Sequence, residues 1–199
     1  LPVYENERGT YIFNSKDLCM IEHIPELIEA GIDSFKIEGR MKTALYVAVV
    51  TRTYREAIDD YYTSKELYES KMEHYREEIA ACTFRQFTTG FYYGKPNEET
   101  QIYDCNTYVK NRVYLGTVEE VTAAGELVIH QKNKFCVGDA IEVMAFDGEN
   151  VAVEVLAIHD EHGTEMESAP HPKQLLCVKV SNSEKIRKGM IIRTRHCAA

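Results

Sequence analysis

Glu38-Gly39-Arg40 is the first segment whose residue types could do chemistry. It lies at the end of an apolar run, and α/β enzymes place their sites just past the carboxyl ends of such strands. Glu38 and Arg40 are therefore candidate catalytic residues. The Arg40 fork suits a carboxylate or a phosphate, as does the N-terminus of the helix that follows, so Arg40 and Lys42 are candidate substrate-binding cations. A structural pair, Glu38 with Arg40 or with Lys36, explains the same pattern.

Cys19 is the second candidate, because it follows the polar segment Asn14–Asp17 near a predicted helix start. A cysteine in this position could be a nucleophile, a metal or iron–sulfur ligand, or a core thiol. A nucleophile also needs a base, and the nearest histidine in the sequence is His23. The helical spacing places His23 on a helix surface, so the sequence leaves the role of Cys19 open.

The third candidate is the aromatic loop Thr88-Thr89-Gly90-Phe91-Tyr92. Aromatic rings beside a glycine turn can stack on a nucleobase or another planar substrate. They can equally hold a connecting segment against the rest of the fold. Under the first interpretation Thr89, Gly90 and Phe91 are substrate-binding residues.

The elements that must position these residues form an α/β pattern over residues 1–62. Short strands are predicted at Tyr11–Phe13 and Ser34–Glu38, and each is followed by a helix, the second over residues 43–62. Strand, helix, strand, helix with short connections is typical of a parallel sheet, which two such units cannot close alone. We therefore expect residues 1–62 to be the end of a β/α-barrel catalytic domain.

The rest of the chain has a different pattern. Residues 63–106 read as a helical and aromatic connector, and from residue 107 onward the apolar period becomes two. Short strands separated by turns predict a small β-barrel-like domain over residues 107–199, and hence an α+β chain overall. The six predicted strand cores are Val113–Thr117, Leu127–Ile129, Ile141–Val143, Val151–Val155, Leu176–Val180 and Ile191–Ile192.

Composition narrows the function classes. The net charge is −9, and an acidic chain without a basic stripe is a poor nucleic-acid binder by itself, although a local basic pocket can still bind. The six cysteines contain no CxxC pair, and no secretory signal or membrane-length apolar run is present, which indicates a cytoplasmic protein with free thiols. The chain starts at Leu1 without an initiator Met, so we expect it to be the C-terminal part of a larger enzyme.

Several blocks of this sequence resemble the collagenase-like peptidases, family U thirty-two. The resemblance lies in residues 8–19, 29–42, 53–59, 88–92 and 133–139. It implies an upstream β/α barrel and a cytosolic bacterial enzyme. Members of the family were first described as proteases, and others hydroxylate a tRNA wobble uridine with prephenate as cosubstrate.

The resemblance also implies a cofactor and partners. Some members hold an iron–sulfur cluster on four cysteines, and the last of these falls at Cys19. The other three would lie upstream, so we expect no cofactor in this chain alone and no activity of the isolated chain. The expected partners are the upstream barrel, a tRNA or protein substrate, and a second copy through the truncated barrel. The alternative is an accessory β domain that binds substrate, RNA or a partner without catalysis.

Overall fold

A computed structural model of the 199-residue chain describes residues 3–7, 9–11, 15–82, 85–103 and 111–195. The chain divides into two compact units, residues 1–110 and 111–199. The finer division at residues 62 and 106 stays a prediction. No helix within the described ranges combines the length and the apolar character that crossing a bilayer requires.

The first unit is mostly helical. Its strands are β1 (Tyr4–Asn6), β2 (Gly9–Tyr11), β3 (Asp17–Leu18) and β4 (Phe87–Thr88), and its helices are α1 (Ile24–Glu29), α2 (Ala44–Thr63), α3 (Lys65–Ser70) and α4 (Met72–Ile79). Short 3-10 turns lie at Ile21–His23 and Glu98–Thr100. Strands β1 and β2 pair antiparallel, whereas β3 and β4 pair parallel.

Helix α2 confirms the helix predicted over residues 43–62. The Thr43 side chain caps it by accepting a hydrogen bond from the backbone N–H of Tyr46 at 3.3 Å. The apolar stripe of α2 is buried, and aromatic side chains fill the space against α3 and α4. Tyr75 is fully buried, stacks on Tyr68, and donates a 2.6 Å hydrogen bond to Asp60 near the end of α2.

The predicted strands of this unit differ from the observed ones. Ser34–Glu38 has no strand partner among the described residues, and it runs instead along the wall of a cavity. The predicted strand at residues 11–13 lies largely outside the described residues, as do Cys105 and Cys197. The four described cysteines, Cys19, Cys82, Cys136 and Cys177, are free thiols, as predicted.

The second unit is a closed antiparallel barrel. Its six barrel strands are β5 (Tyr114–Val121), β6 (Leu127–Gln131), β8 (Ala140–Met144), β9 (Val151–His159), β12 (Leu175–Val180) and β13 (Ile191–Thr194); the short strands β7 (Phe135–Cys136), β10 (Glu165–Met166) and β11 (Ser168–Ala169) lie between them in sequence. The strand order is β9-β12-β6-β5-β13-β8, and β8 pairs with β9 to close the ring. All six predicted strand cores are confirmed, and so is the α+β class.

Strand β13 carries a buried cation. The side chain of Arg193 is 0% exposed, and its Nε and Nη2 atoms both lie 2.6 Å from Oε2 of Glu142. Arg112 approaches the same oxygen at 3.7 Å. A buried guanidinium of this kind requires a paired carboxylate, because its desolvation is otherwise uncompensated.

Replacing Glu142 by Gln should therefore destabilise the second unit by about 3 kcal/mol, since the buried Arg193 loses the charged partner that its Nε and Nη2 atoms both contact. Urea unfolding followed by circular dichroism measures the loss. Glu154→Gln, on an exposed position of β9, is the matched control and should change the free energy of unfolding by less than about 0.5 kcal/mol. Equal effects of the two substitutions would contradict this assignment.

Candidate functional site

A cavity of about 520 Å³ opens in the first unit beside β3. Residues 17–20 form one wall, residues 34–38 form another, and α2 contributes a third. Helix α2 supplies Tyr46, Val50 and Tyr54, and the remaining lining side chains come from distant parts of the unit: Leu27, Ile32, Lys42, Ile79, Arg85, Phe87 and Tyr92. The cavity therefore brings together segments far apart in sequence.

Asp17 is the polar centre of this cavity. Its Oδ2 atom accepts a hydrogen bond from the backbone N–H of Arg85 at 2.9 Å, and its Oδ1 atom accepts one from Nε of the same residue at 3.2 Å. Nζ of Lys42 lies 3.4 Å from Oδ2. Asp17 is partly buried, and its carboxylate contacts two cations that lie far apart in the sequence.

The cavity lining carries an excess of positive charge. Among the described residues, its charged side chains are three cations, Lys36, Lys42 and Arg85, and two carboxylates, Asp17 and Glu38. Lys42 also lies over the Tyr46 ring, 5.0 Å from its centroid. A chain with net charge −9 thus keeps a locally cationic site with aromatic walls, which suits an anionic ligand that has a planar or apolar body.

Cys19 lies in the same wall, and Tyr54 of α2 fixes its surroundings. The Tyr54 hydroxyl donates to Sγ of Cys19 at 3.8 Å and accepts a 2.8 Å hydrogen bond from the backbone N–H of Met20. Burial is the main cause that raises the pKa of the Cys19 thiol, and burial likewise raises the pKa of the Tyr54 hydroxyl. Both groups are therefore protonated at neutral pH.

A second cavity, of about 490 Å³, lies on the other side of Cys19 and is also lined by His23, Arg76 and Thr89. The His23 ring is engaged elsewhere, because its Nδ1 atom lies 2.8 Å from the Tyr93 hydroxyl and 3.3 Å from Oε1 of Glu26. Within the described residues no hydrogen bond joins His23 to Cys19.

In the structure, Glu38 and Arg40 of the predicted Glu38-Gly39-Arg40 motif do not line the same site. Glu38 lines the first cavity and accepts a 3.0 Å hydrogen bond from the backbone N–H of Arg40, whereas the exposed Arg40 lines neither cavity. Close packing explains why position 39 is a glycine, since a Cβ there would lie 2.9 Å from Cγ2 of Val47. The catalytic roles of Glu38 and Arg40 stay predictions. Lys42 lines the first cavity, and its substrate-binding role likewise stays a prediction.

The loop with the other predicted substrate-binding residues follows β4. Thr89 lines the second cavity, and Phe91 projects with 80% of its surface exposed. Gly90 adopts φ +60°, and a Cβ there would lie 3.2 Å from Leu18, so a side chain at this turn would be strained. Phe91 lines neither cavity, but its neighbours in the loop do, Thr89 the second cavity and Tyr92 the first.

Sequence reasoning missed three residues of the site: Asp17, Tyr54 and Arg85. Asp17 and Arg85 are 68 positions apart, and Tyr54 and Cys19 are 35 positions apart. No local spacing signals such pairs. The one available signal was Asp17 itself, a carboxylate two residues before Cys19.

The iron–sulfur expectation can be tested against the donor atoms that are present. A cluster takes four thiolates in most proteins. Within the described residues Cys19 supplies one thiol at a cavity wall, and no group of three or more His, Cys, Asp or Glu side chains is arranged to hold a metal ion. These residues do not form a complete cluster site.

The raised pKa of Cys19 predicts slow alkylation. In the folded 199-residue chain, iodoacetamide should modify Cys19 with a half-maximal rate above pH 9, the ordinary value being 9.0. The stabilisation from burying the neutral thiol is complete below the unfolded pKa and is lost as pH rises through the folded pKa. Mass spectrometry of the Cys19 peptide, with the urea-unfolded chain as control, measures the rate. A half-maximal rate below pH 8 in the folded chain would refute the assignment.

Comparison with known proteins identifies both halves of the chain. Residues 3–102 match the model of "Peptidase family U32", and residues 110–193 match the model of "Peptidase family U32 C-terminal domain". The chain is 35% identical over 192 residues to "tRNA hydroxylation protein P1" of Bacillus subtilis (strain 168), covering 94% of this chain and 45% of that protein.

Two further proteins each match less than half of this chain. "Uncharacterized protease MJ0090" of Methanocaldococcus jannaschii is 49% identical over 90 residues, which are 45% of this chain and 21% of that protein. The crystal structure of the C-terminal domain of a U32 peptidase from Geobacillus thermoleovorans covers 41% of this chain and 99% of its own, with 28% identity and a TM-score of 0.38. The chain spans less than half the length of the curated relatives it matches. The family models together cover both units, and the chain belongs to peptidase family U32.

Proposed function

We propose that this chain is the C-terminal part of a U32 enzyme that hydroxylates tRNA. The observation that carries the proposal is the cationic cavity in which Asp17 orients Lys42 and Arg85 next to Cys19. The similarity to a tRNA hydroxylation protein over 94% of the chain supports the same function. The upstream part of the enzyme supplies the rest of the β/α barrel, and the isolated chain is inactive.

In this proposal Lys42 and Arg85 bind the anionic group of the cosubstrate, for which prephenate is the family's candidate. A carboxylate is recognised by the guanidinium fork and by the ammonium point charge, and Asp17 keeps both directed at the cavity. Tyr46, Phe87 and Tyr92 provide the planar and apolar walls for its body.

Phe91 contacts the RNA. An exposed aromatic ring on a rigid glycine turn can stack on a nucleobase that has been removed from its helix stack, which is how enzymes reach a target base. Phe91, with Thr89 and Gly90, would then place the wobble uridine beside the cavities.

Cys19 is proposed as one ligand of an iron–sulfur cluster in the whole protein, with the other ligands supplied upstream. Such a cluster supplies one-electron chemistry. Within this chain, Tyr54 donates a hydrogen bond to Sγ of Cys19 and fixes its position at the cavity wall. These ligand and cosubstrate roles are proposals.

Peptide hydrolysis is the second candidate, because Cys19 and His23 line one cavity and Glu26 contacts His23. A cysteine nucleophile requires a lowered thiol pKa and a histidine within hydrogen-bonding reach. The pKa of Cys19 is raised, and Tyr54 rather than His23 is its hydrogen-bond partner. These two features argue against a peptidase that uses Cys19 as its nucleophile. An accessory role without catalysis fits the second unit alone.

Complementation of a strain that lacks the parent gene tests the proposal. The deletion should abolish the hydroxylated wobble uridine in tRNA digests analysed by mass spectrometry, and the intact gene should restore it. Asp17→Asn and Lys42→Gln should each reduce the restored modification by at least about tenfold. The first variant removes the carboxylate that positions the two cations, and the second removes one of those cations.

Lys65→Gln is the matched control, because Lys65 forms only an exposed pair with Glu69 at 3.8 Å on α3. This variant should restore full modification. Unchanged tRNA in the deletion strain would reject tRNA hydroxylation as the function. Full restoration by both site variants would reject the cavity as the site.

A further inference from the structure

One end of the barrel presents an exposed aromatic ring next to a loop that carries exposed cations. The loop from Ser181 to Met190, which joins β12 to β13, carries the exposed cations Lys185, Arg187 and Lys188. Phe146, in the loop between β8 and β9, is 62% exposed. Its Cζ atom lies 3.5 Å from the position that a Cβ on Gly189 would occupy, so the ring is next to the cationic loop. We call these four side chains the basic-aromatic patch.

The patch is held on a rigid support. Ile186 and Met190 are 3% and 5% exposed and anchor the loop in the barrel core. The backbone N–H of Gly189 donates a 2.7 Å hydrogen bond to the carbonyl of Val118 on β5. Because the loop is fixed before any ligand arrives, binding there requires little ordering of the backbone.

The surrounding charges limit what can bind. Glu126, Asp147, Glu149 and Glu184 lie in the loops at the same end of the barrel. A long duplex that tracks across this end would meet these carboxylates. A short single strand needs only a few phosphate contacts and one exposed ring on which a base can stack.

We propose that the basic-aromatic patch binds a short single-stranded segment of RNA, with a base stacked on Phe146 and backbone phosphates held by Lys185, Arg187 and Lys188. This inference rests on the proposed function in taking RNA as the partner. It assigns to the barrel a docking role that is separate from the cavity beside Cys19. A protein partner with acidic side chains is the competing occupant.

Fluorescence anisotropy with the 199-residue chain tests the inference. The probes are a labelled oligouridine of 12 nucleotides and an unmodified tRNA transcript, each titrated at several KCl concentrations. Phe146→Ala should weaken oligouridine binding by about tenfold through the lost stack. The triple variant Lys185→Gln, Arg187→Gln, Lys188→Gln should reduce the slope of log K against log salt by about 2, at about 0.7 for each of three contacts.

The matched control removes three lysines from the opposite end of the same barrel: Lys132→Gln, Lys134→Gln, Lys173→Gln. It should keep the wild-type slope and affinity within about twofold, and thermal unfolding confirms that each variant is folded. If the control and the patch variant lose RNA affinity equally, the effect comes from net charge alone. That result would overturn the inference. Absence of RNA binding by the wild-type chain at low salt would also overturn it, leaving the protein-partner alternative.

Failure here is distinguishable from failure of the proposed function. The tRNA modification assay depends on Asp17 and Lys42 in the first unit. Fluorescence anisotropy measures RNA binding by the basic-aromatic patch in the second unit. Wild-type modification in the cell together with patch-independent binding would reject only the docking role.

Discussion

The carboxylate of Asp17 links three segments of the first unit that lie far apart in the sequence. It belongs to β3, binds both the backbone and the side chain of Arg85, and pairs with Lys42 just before α2. Two cations near one another would repel, and a partly buried carboxylate between them offsets that repulsion. This arrangement keeps the two cations together in the lining of the cavity.

The same constraint explains how a short pair of strands can support a site. Strands β3 and β4 are two residues long, and two paired residues contribute little by themselves. The hydrogen bonds of Asp17 to Arg85 lie next to this pair and fix the start of the segment that leads to Gly90. Tyr54 adds a second link, because its hydroxyl connects α2 to Cys19 and Met20. This wall of the cavity is thus held by side-chain contacts as well as by the short strand pair.

The barrel could be predicted from the sequence almost strand by strand, whereas the cavity could not. In the barrel each strand pairs with neighbours inside the same unit. The alternation of apolar and polar residues along the sequence is therefore enough to predict each strand. Ser34–Glu38 has the composition of a strand but no neighbour among the described residues, so composition alone predicted it wrongly here. Lys42 and Cys19 were found because they lie in recognisable segments. Asp17 and Arg85 were missed because their pairing is not local.

The proposed function requires that the cavity beside Cys19 and the Phe91 loop form the RNA-modifying site of the whole protein. Photocrosslinking measures this contact directly, with the full-length protein and a tRNA that carries 4-thiouridine at the wobble position. The account predicts that the crosslinked peptide contains Phe91, and that Phe91→Ala removes this crosslink while the tRNA still binds. A crosslink confined to peptides of the second unit, unaffected by Phe91→Ala, would contradict it.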